Sequence, residues 1–203
     1  MSQGKIIAIS GGPRTGKSTL VKFLSEKLDA TPFFEGEEKD FPPRVLEDIK
    51  SGNRVLELIL WFRNKLVKEY MQALELKKKG KIVILDTFWA TNDVYVDEWV
   101  SDEFEKDSLM ELAKLDYELL PWPDLVIALN ASNESIRDFA IKGGRTFEQT
   151  EEFFKKQINL SATHERYFRD LDKPNVKFVN AADISYERKE TLDQLVANIK
   201  KWC

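Results

Sequence analysis

Eight residues carry the strongest chemical signal in the chain: Gly11, Gly12, Pro13, Arg14, Thr15, Gly16, Lys17 and Ser18, spelling G-x-x-x-x-G-K-S. Glycines at this spacing let successive backbone N–H groups turn inward and form a concave anion nest at a helix N-terminus. Lys17 has the reach for the outer phosphates of a nucleotide, and the Ser18 hydroxyl suits a magnesium ion. With Thr19 completing the set, residues 11–19 are expected to bind ATP together with Mg2+. The context agrees: an apolar run from Lys5 to Ser10 (KIIAIS) precedes the loop and an amphipathic segment follows it.

Other residues qualify by position. Asp86 closes the apolar run Lys81 to Leu85, the place of a magnesium-side carboxylate in phosphate-loop enzymes, although an aspartate there can also be a plain turn residue. Glu35 ends a short strand pattern, Thr31 to Glu35. It has two readings, a general base on an attacking hydroxyl or one more solvated acid beside Glu37, Glu38 and Asp40. Lys142 and Arg145 flank Gly143-Gly144, a composition suited to a basic lid over a triphosphate. Trp61, Phe88 and Trp89 are candidates to stack on a flat substrate, whereas Phe62 falls on a core stripe. His164, the only histidine, has no partner motif, and a helix-surface position is expected for it.

The elements that must position these groups follow from periodicity. Helices are expected over Lys17–Lys27, Arg44–Lys50, Asn53–Lys79, Leu109–Leu120, a stretch from Asn133 to Ile141, Phe147–Arg169 and around Leu192–Ile199. Lys77 to Lys79 and Gly80 make a helix stop. The acidic stretch Asp93–Glu105 is expected to contain helix. Apolar strands are expected at Lys5–Ser10, Lys81–Leu85, Asp124–Leu129 and Val176–Val179, with Thr31–Glu35 as a fifth. Alternating strands and helices specify an α/β fold with a mostly parallel sheet covered on both faces, so ligands belong at the carboxyl ends of the strands. The 203 residues fit a single domain, 1–203.

Composition removes several function classes. Thirty-one basic and 35 acidic residues leave a net charge of −4 with no basic block, which argues against polymeric nucleic acid as partner. The one cysteine, Cys203, permits no intrachain disulfide, and no stretch approaches the ~20 apolar residues of a membrane span. A cytoplasmic protein with no membrane partner is expected.

In order and spacing these features resemble the deoxynucleoside kinase family within the thymidylate kinase-like group. The resemblance is carried by the loop at 11–18, Phe33-Phe34-Glu35-Gly36, Leu60-Trp61-Phe62-Arg63-Asn64-Lys65, Asp86, Tyr117 ahead of Pro123-Asp124-Leu125, and Lys142 to Glu148. It implies a three-layer P-loop kinase fold of about five parallel strands with helices on both faces, and a lid near 142–149. It makes Glu35 the general base on a 5′-hydroxyl, Asp86 a magnesium-side carboxylate and Arg145 a lid arginine acting with Lys17. It also sets adenine beside Asn180–Ile184 and implies a homodimer. Three positions depart from the family pattern: Thr87 and Gly143 stand where arginines are usual, and Ile59 where a base-reading glutamine is usual. The expected function is ATP-dependent phosphoryl transfer to the 5′-hydroxyl of a (deoxy)nucleoside. The alternatives are a nucleoside monophosphate kinase and an ATP-binding regulatory protein with weak kinase activity.

Overall fold

Five apolar runs become the strands of one sheet: β1 (Lys5–Ser10), β2 (Thr31–Phe33), β3 (Ile82–Asp86), β4 (Leu125–Asn130) and β5 (Val176–Asn180). The structure is a computed structural model, and it describes residues 4–36, 40–142, 150–184 and 189–202. The strand order is β2-β3-β1-β4-β5, and every pairing is parallel. Parallel neighbours require crossovers, and helices supply them. These are α1 (Lys17–Leu28), α2 (Pro43–Ser51), α3 (Val55–Lys78), α4 (Asn92–Trp99), α5 (Glu103–Leu119), α6 (Asn133–Lys142), α7 (Glu151–Asp170) and α8 (Lys189–Trp202). The expected parallel α/β architecture is therefore present.

Alternation along β1 divides the core in two. Ile6 and Ala8 face α3 and α7, packing with Tyr70, Phe88, Trp89 and Phe168. Ile7 and Ile9 face α1 and α8, packing with Leu20, Leu24, Leu195 and Ile199. A smaller cluster, Ile59, Val96, Val100 and Leu109, joins α3 to α4 and α5.

Local chemistry sets the ends of the helices. Pro43 opens α2, and Gly52, at φ 68°, closes it. Asp102 caps α5 by accepting from the Glu105 N–H at 2.9 Å, and Thr150 caps α7 by accepting from the Phe153 N–H at 3.2 Å. Gly80, at φ 78°, stops α3 after its terminal lysines. The stretch 93–105 divides between α4 and the first turn of α5. Strand β2 is shorter than the sequence suggests, leaving Phe34 and Glu35 beyond the pairing. No helix among the described residues is long and apolar enough to cross a membrane.

Two polar clamps fix helices to one another. The fully buried Tyr70 of α3 donates its hydroxyl to the Pro121 carbonyl at 2.7 Å. The buried Asp93 of α4 accepts from Tyr167 of α7 at 3.0 Å and from Tyr117 of α5 at 3.2 Å. Burial pushes the Asp93 carboxyl up to about 6, outweighing the two tyrosine hydroxyls that lower it; Asp116 adds a further upward push.

Tyr70→Phe should lower stability by about 1 kcal/mol, read as a lower urea midpoint at unchanged slope, because the Pro121 carbonyl loses its donor. Asp93 binds a proton more tightly folded than unfolded, so its contribution to stability grows as pH falls from about 6 towards 4. Urea unfolding of wild type and Asp93→Asn across this range should show wild type gaining on the variant by up to about 3 kcal/mol at the acid end. A pH-independent difference would contradict the buried carboxyl.

Candidate active site

The phosphate loop begins where β1 ends, and its glycines answer to specific contacts. A Cβ on Gly12 would sit 2.6 Å from the Cα of Ser161, so α7 lies directly against the loop at that residue. Gly16 ends the loop at φ 91°, a left-handed conformation that costs glycine little. Helix α1 then starts at Lys17 with no acidic residue in its first turn, leaving the positive end of its dipole uncompensated. The Gly12 carbonyl accepts from the Thr15 hydroxyl at 2.9 Å and from the Lys17 ammonium at 3.0 Å.

Sheet register brings the acids to this loop. Ile9 pairs with Asp86, and Phe33 pairs with Leu85, so Asp86 and Glu35 share one edge with residues 11–18. The Ser18 hydroxyl donates to Asp86 Oδ2 at 2.5 Å, while Asp86 Oδ1 is buried with no partner among the described residues. Oxygen donors of this kind suit a hard divalent cation such as Mg2+. Glu35 keeps some surface exposure, yet enough protein surrounds its carboxyl for burial to raise its pKa, opposed next by Lys17 and reinforced by Asp86. The ion pair Lys65–Glu69 on α3, 2.7 Å, acts on the same carboxyl with opposite signs.

Thr87 follows Asp86 at φ 69°, a conformation rare for a β-branched residue. Its N–H donates to the Ile9 carbonyl at 2.9 Å. Thr91 spends its hydroxyl proton on the Phe88 carbonyl at 2.6 Å, so Thr87 must be the donor in the 2.7 Å contact between the two threonine hydroxyls. This turn directs the next two side chains inward. Phe88 is 1% exposed and Trp89 2%, packed with Tyr70, Trp122 and Phe168. The expectation that Phe88 and Trp89 stack on substrate is thus corrected: neither presents surface to a ligand. Trp61 is half-buried against Phe41 and Phe62, with ring centroids 5.6 and 4.9 Å away.

His164 also departs from expectation. It is 2% exposed, because the face of α7 that carries it packs on the sheet and on α4, where Tyr95 meets it edge-on at 5.5 Å. Burial lowers the imidazole to about 3, and Lys17 adds to the effect. Tyr95 in turn is pushed up by burial and then by Glu35 and Asp86. Residue periodicity did not single out Lys65 or Glu69; their opposite charges at i, i+4 were the available signal. Arg145, with residues 143–149, lies outside the described residues. Arg63 is engaged elsewhere, donating through Nε at 2.7 Å and through its terminal nitrogen to the buried Asp116.

Farther along the edge, Asn130, Ser132, Phe178, Asn180 and Asp183 line a recess of about 490 Å³ at the ends of β4 and β5. The Arg169 guanidinium lies 4.2 Å over the Phe178 ring and is held by Glu165 at 2.9 Å.

Comparison with known proteins bears on this geometry. Residues 6–177 match an AAA domain family. No curated protein matches the chain. Among solved structures, deoxyadenosine kinase from M. mycoides with the products dCMP and a flexible dCDP bound is similar, with a TM-score of 0.76 at 19% identity over 97% of this chain and 99% of that one. Thymidylate kinase from Candida albicans gives a TM-score of 0.63 at 20% identity over 99% and 91%. NadR in complex with NR gives a TM-score of 0.65 at 17% identity over 98% of this chain and 52% of that one. The chain belongs to this AAA domain family, and its fold is that of a deoxynucleoside kinase-like P-loop kinase.

Proposed function

We propose that the chain transfers the γ-phosphoryl group of ATP to the 5′-hydroxyl of a (deoxy)nucleoside. The observation that carries this reading is the meeting of Lys17, Asp86 and Glu35 at one sheet edge, with Lys17 and Asp86 the leading charges acting on the Glu35 carboxyl. Glu35 accepts the hydroxyl proton as the new O–P bond forms. The bond from the γ-phosphorus to the bridging oxygen breaks, and its electron pair leaves on ADP. A carboxylate with raised proton affinity is a better base near neutral pH than an ordinary glutamate. Lys17 releases the Gly12 carbonyl and faces the phosphates, which the backbone N–H groups of the loop hold.

Ser18 and Asp86 are the residues for Mg2+, which when bound supplies charge neutralisation on the phosphates. Arg145 is assigned to the lid, and Trp61 to the rim of the acceptor pocket. The recess at Asn180 and Asp183 is assigned to adenine.

The likeness to a thymidylate kinase keeps one competing reading in view, a monophosphate as acceptor. An anionic acceptor calls for an arginine clamp. Arg63 is committed to Asp116, and the acceptor side of the loop carries Glu35 instead.

Glu35→Gln should lower kcat by about a hundredfold or more while ATP affinity stays within about threefold. In wild type, kcat/KM should fall on the acid side with an apparent pKa above the ordinary glutamate range, and the variant should lose that limb. Unchanged turnover in the variant, or turnover of thymidylate without thymidine, contradicts the proposal.

A further inference from the structure

One face of α7 runs from the sheet up to the phosphate loop through Phe154, Gln157, Ser161, His164 and Phe168, spaced three and four residues apart. Phe154 and Phe168 behave as this face requires, both buried. Gln157 and His164 do not. They are 3% and 2% exposed, and none of the four polar atoms of the amide and the imidazole has a hydrogen-bond partner among the described residues. Ser10 adds a fifth such atom: its hydroxyl, 0% exposed and unpartnered among the described residues, belongs to the even-numbered side of β1 that faces α3 and α7. Buried polar atoms without partners destabilise a fold, and native proteins retain few of them.

Their location gives the reason for retaining them. Ser161, between Gln157 and His164 on the same face, is the residue pressed on Gly12. His164 lies in the field of Lys17, and the Tyr95 ring that meets it edge-on at 5.5 Å lies in the field of Glu35 and Asp86. An amide and a neutral imidazole each offer an N–H donor without adding a second full charge next to Lys17.

We propose that Gln157 and His164 are the neutral half of the phosphate site: their N–H groups hydrogen-bond the terminal phosphate oxygens of the bound nucleoside triphosphate, directly or through one water, beside Lys17. The inference rests on the ATP-binding part of the function proposed above and is independent of the acceptor.

The test compares wild type with Gln157→Met and His164→Phe, singly and together, by calorimetric titration with Mg-AMP-PNP and with Mg-ADP. Each variant should melt at or above the wild-type temperature without nucleotide, since it removes unpartnered polar atoms. Each should bind AMP-PNP about tenfold more weakly while ADP affinity changes less than about twofold. His164→Asn, which keeps an N–H donor, should recover part of the loss. If a variant does not fold, the ring 15N signals of His164 in wild type decide: they should move on adding Mg-AMP-PNP and much less with Mg-ADP. Equal affinities for AMP-PNP in wild type and variants, equal losses for both nucleotides, or ring signals indifferent to the third phosphate overturn the inference. Failure of wild type to bind either nucleotide would instead overturn the proposed function, and this inference with it.

Discussion

The hydroxyl of Ser18 bonded to the carboxylate of Asp86 at 2.5 Å is the contact on which the rest of the site depends. It can form only if β1 and β3 are neighbours and end level, which their parallel register provides by setting Ile9 opposite Asp86. The same register, passed on to β2, brings Glu35 to that edge. The phosphate loop and two acids, which belong to three distant stretches of sequence, thus become one site through strand order alone. The large apolar clusters on the two faces of the sheet hold that order.

Several of the local rules the chain breaks are broken at this edge. Thr87 adopts a left-handed conformation that a β-branched residue disfavours, and buried polar atoms on Asp86, Gln157 and His164 lack partners among the described residues. Such departures persist where surrounding structure over-determines them, and they concentrate at functional sites. Here the surrounding structure is identifiable. Thr87 is pinned by its bond to the Ile9 carbonyl, and α7 is pinned to α4 and α5 through Tyr167, Asp93 and Tyr117.

Much of the fold was legible because its signals are local. The phosphate loop announces itself by residue type and spacing, β3 and β4 by unbroken apolar runs, and α3 by a long stripe with a lysine-glycine stop. The substrate side was less legible, since burial there is decided by distant partners. Phe88 and Trp89 look free because nothing in their spacing shows the turn at Thr87 that sends them into the core. His164 looks like a surface residue because its neighbours Glu165 and Arg166 are polar; only the packing of α7 on Gly12 and Tyr95 shows that it faces inward. Gln157 escaped notice for the same reason. The usable signal was that Gln157 and His164 fall on the same face of α7 as Phe154, Leu160 and Phe168.

The central claim is that this edge passes a phosphoryl group from ATP to a nucleoside hydroxyl. Incubating the protein with Mg2+, γ-32P-labelled ATP and a panel of nucleosides, then resolving the products, tests it most directly. The account predicts label in a nucleoside 5′-monophosphate with at least one member of the panel. Label that remains in ATP with every nucleoside would contradict it.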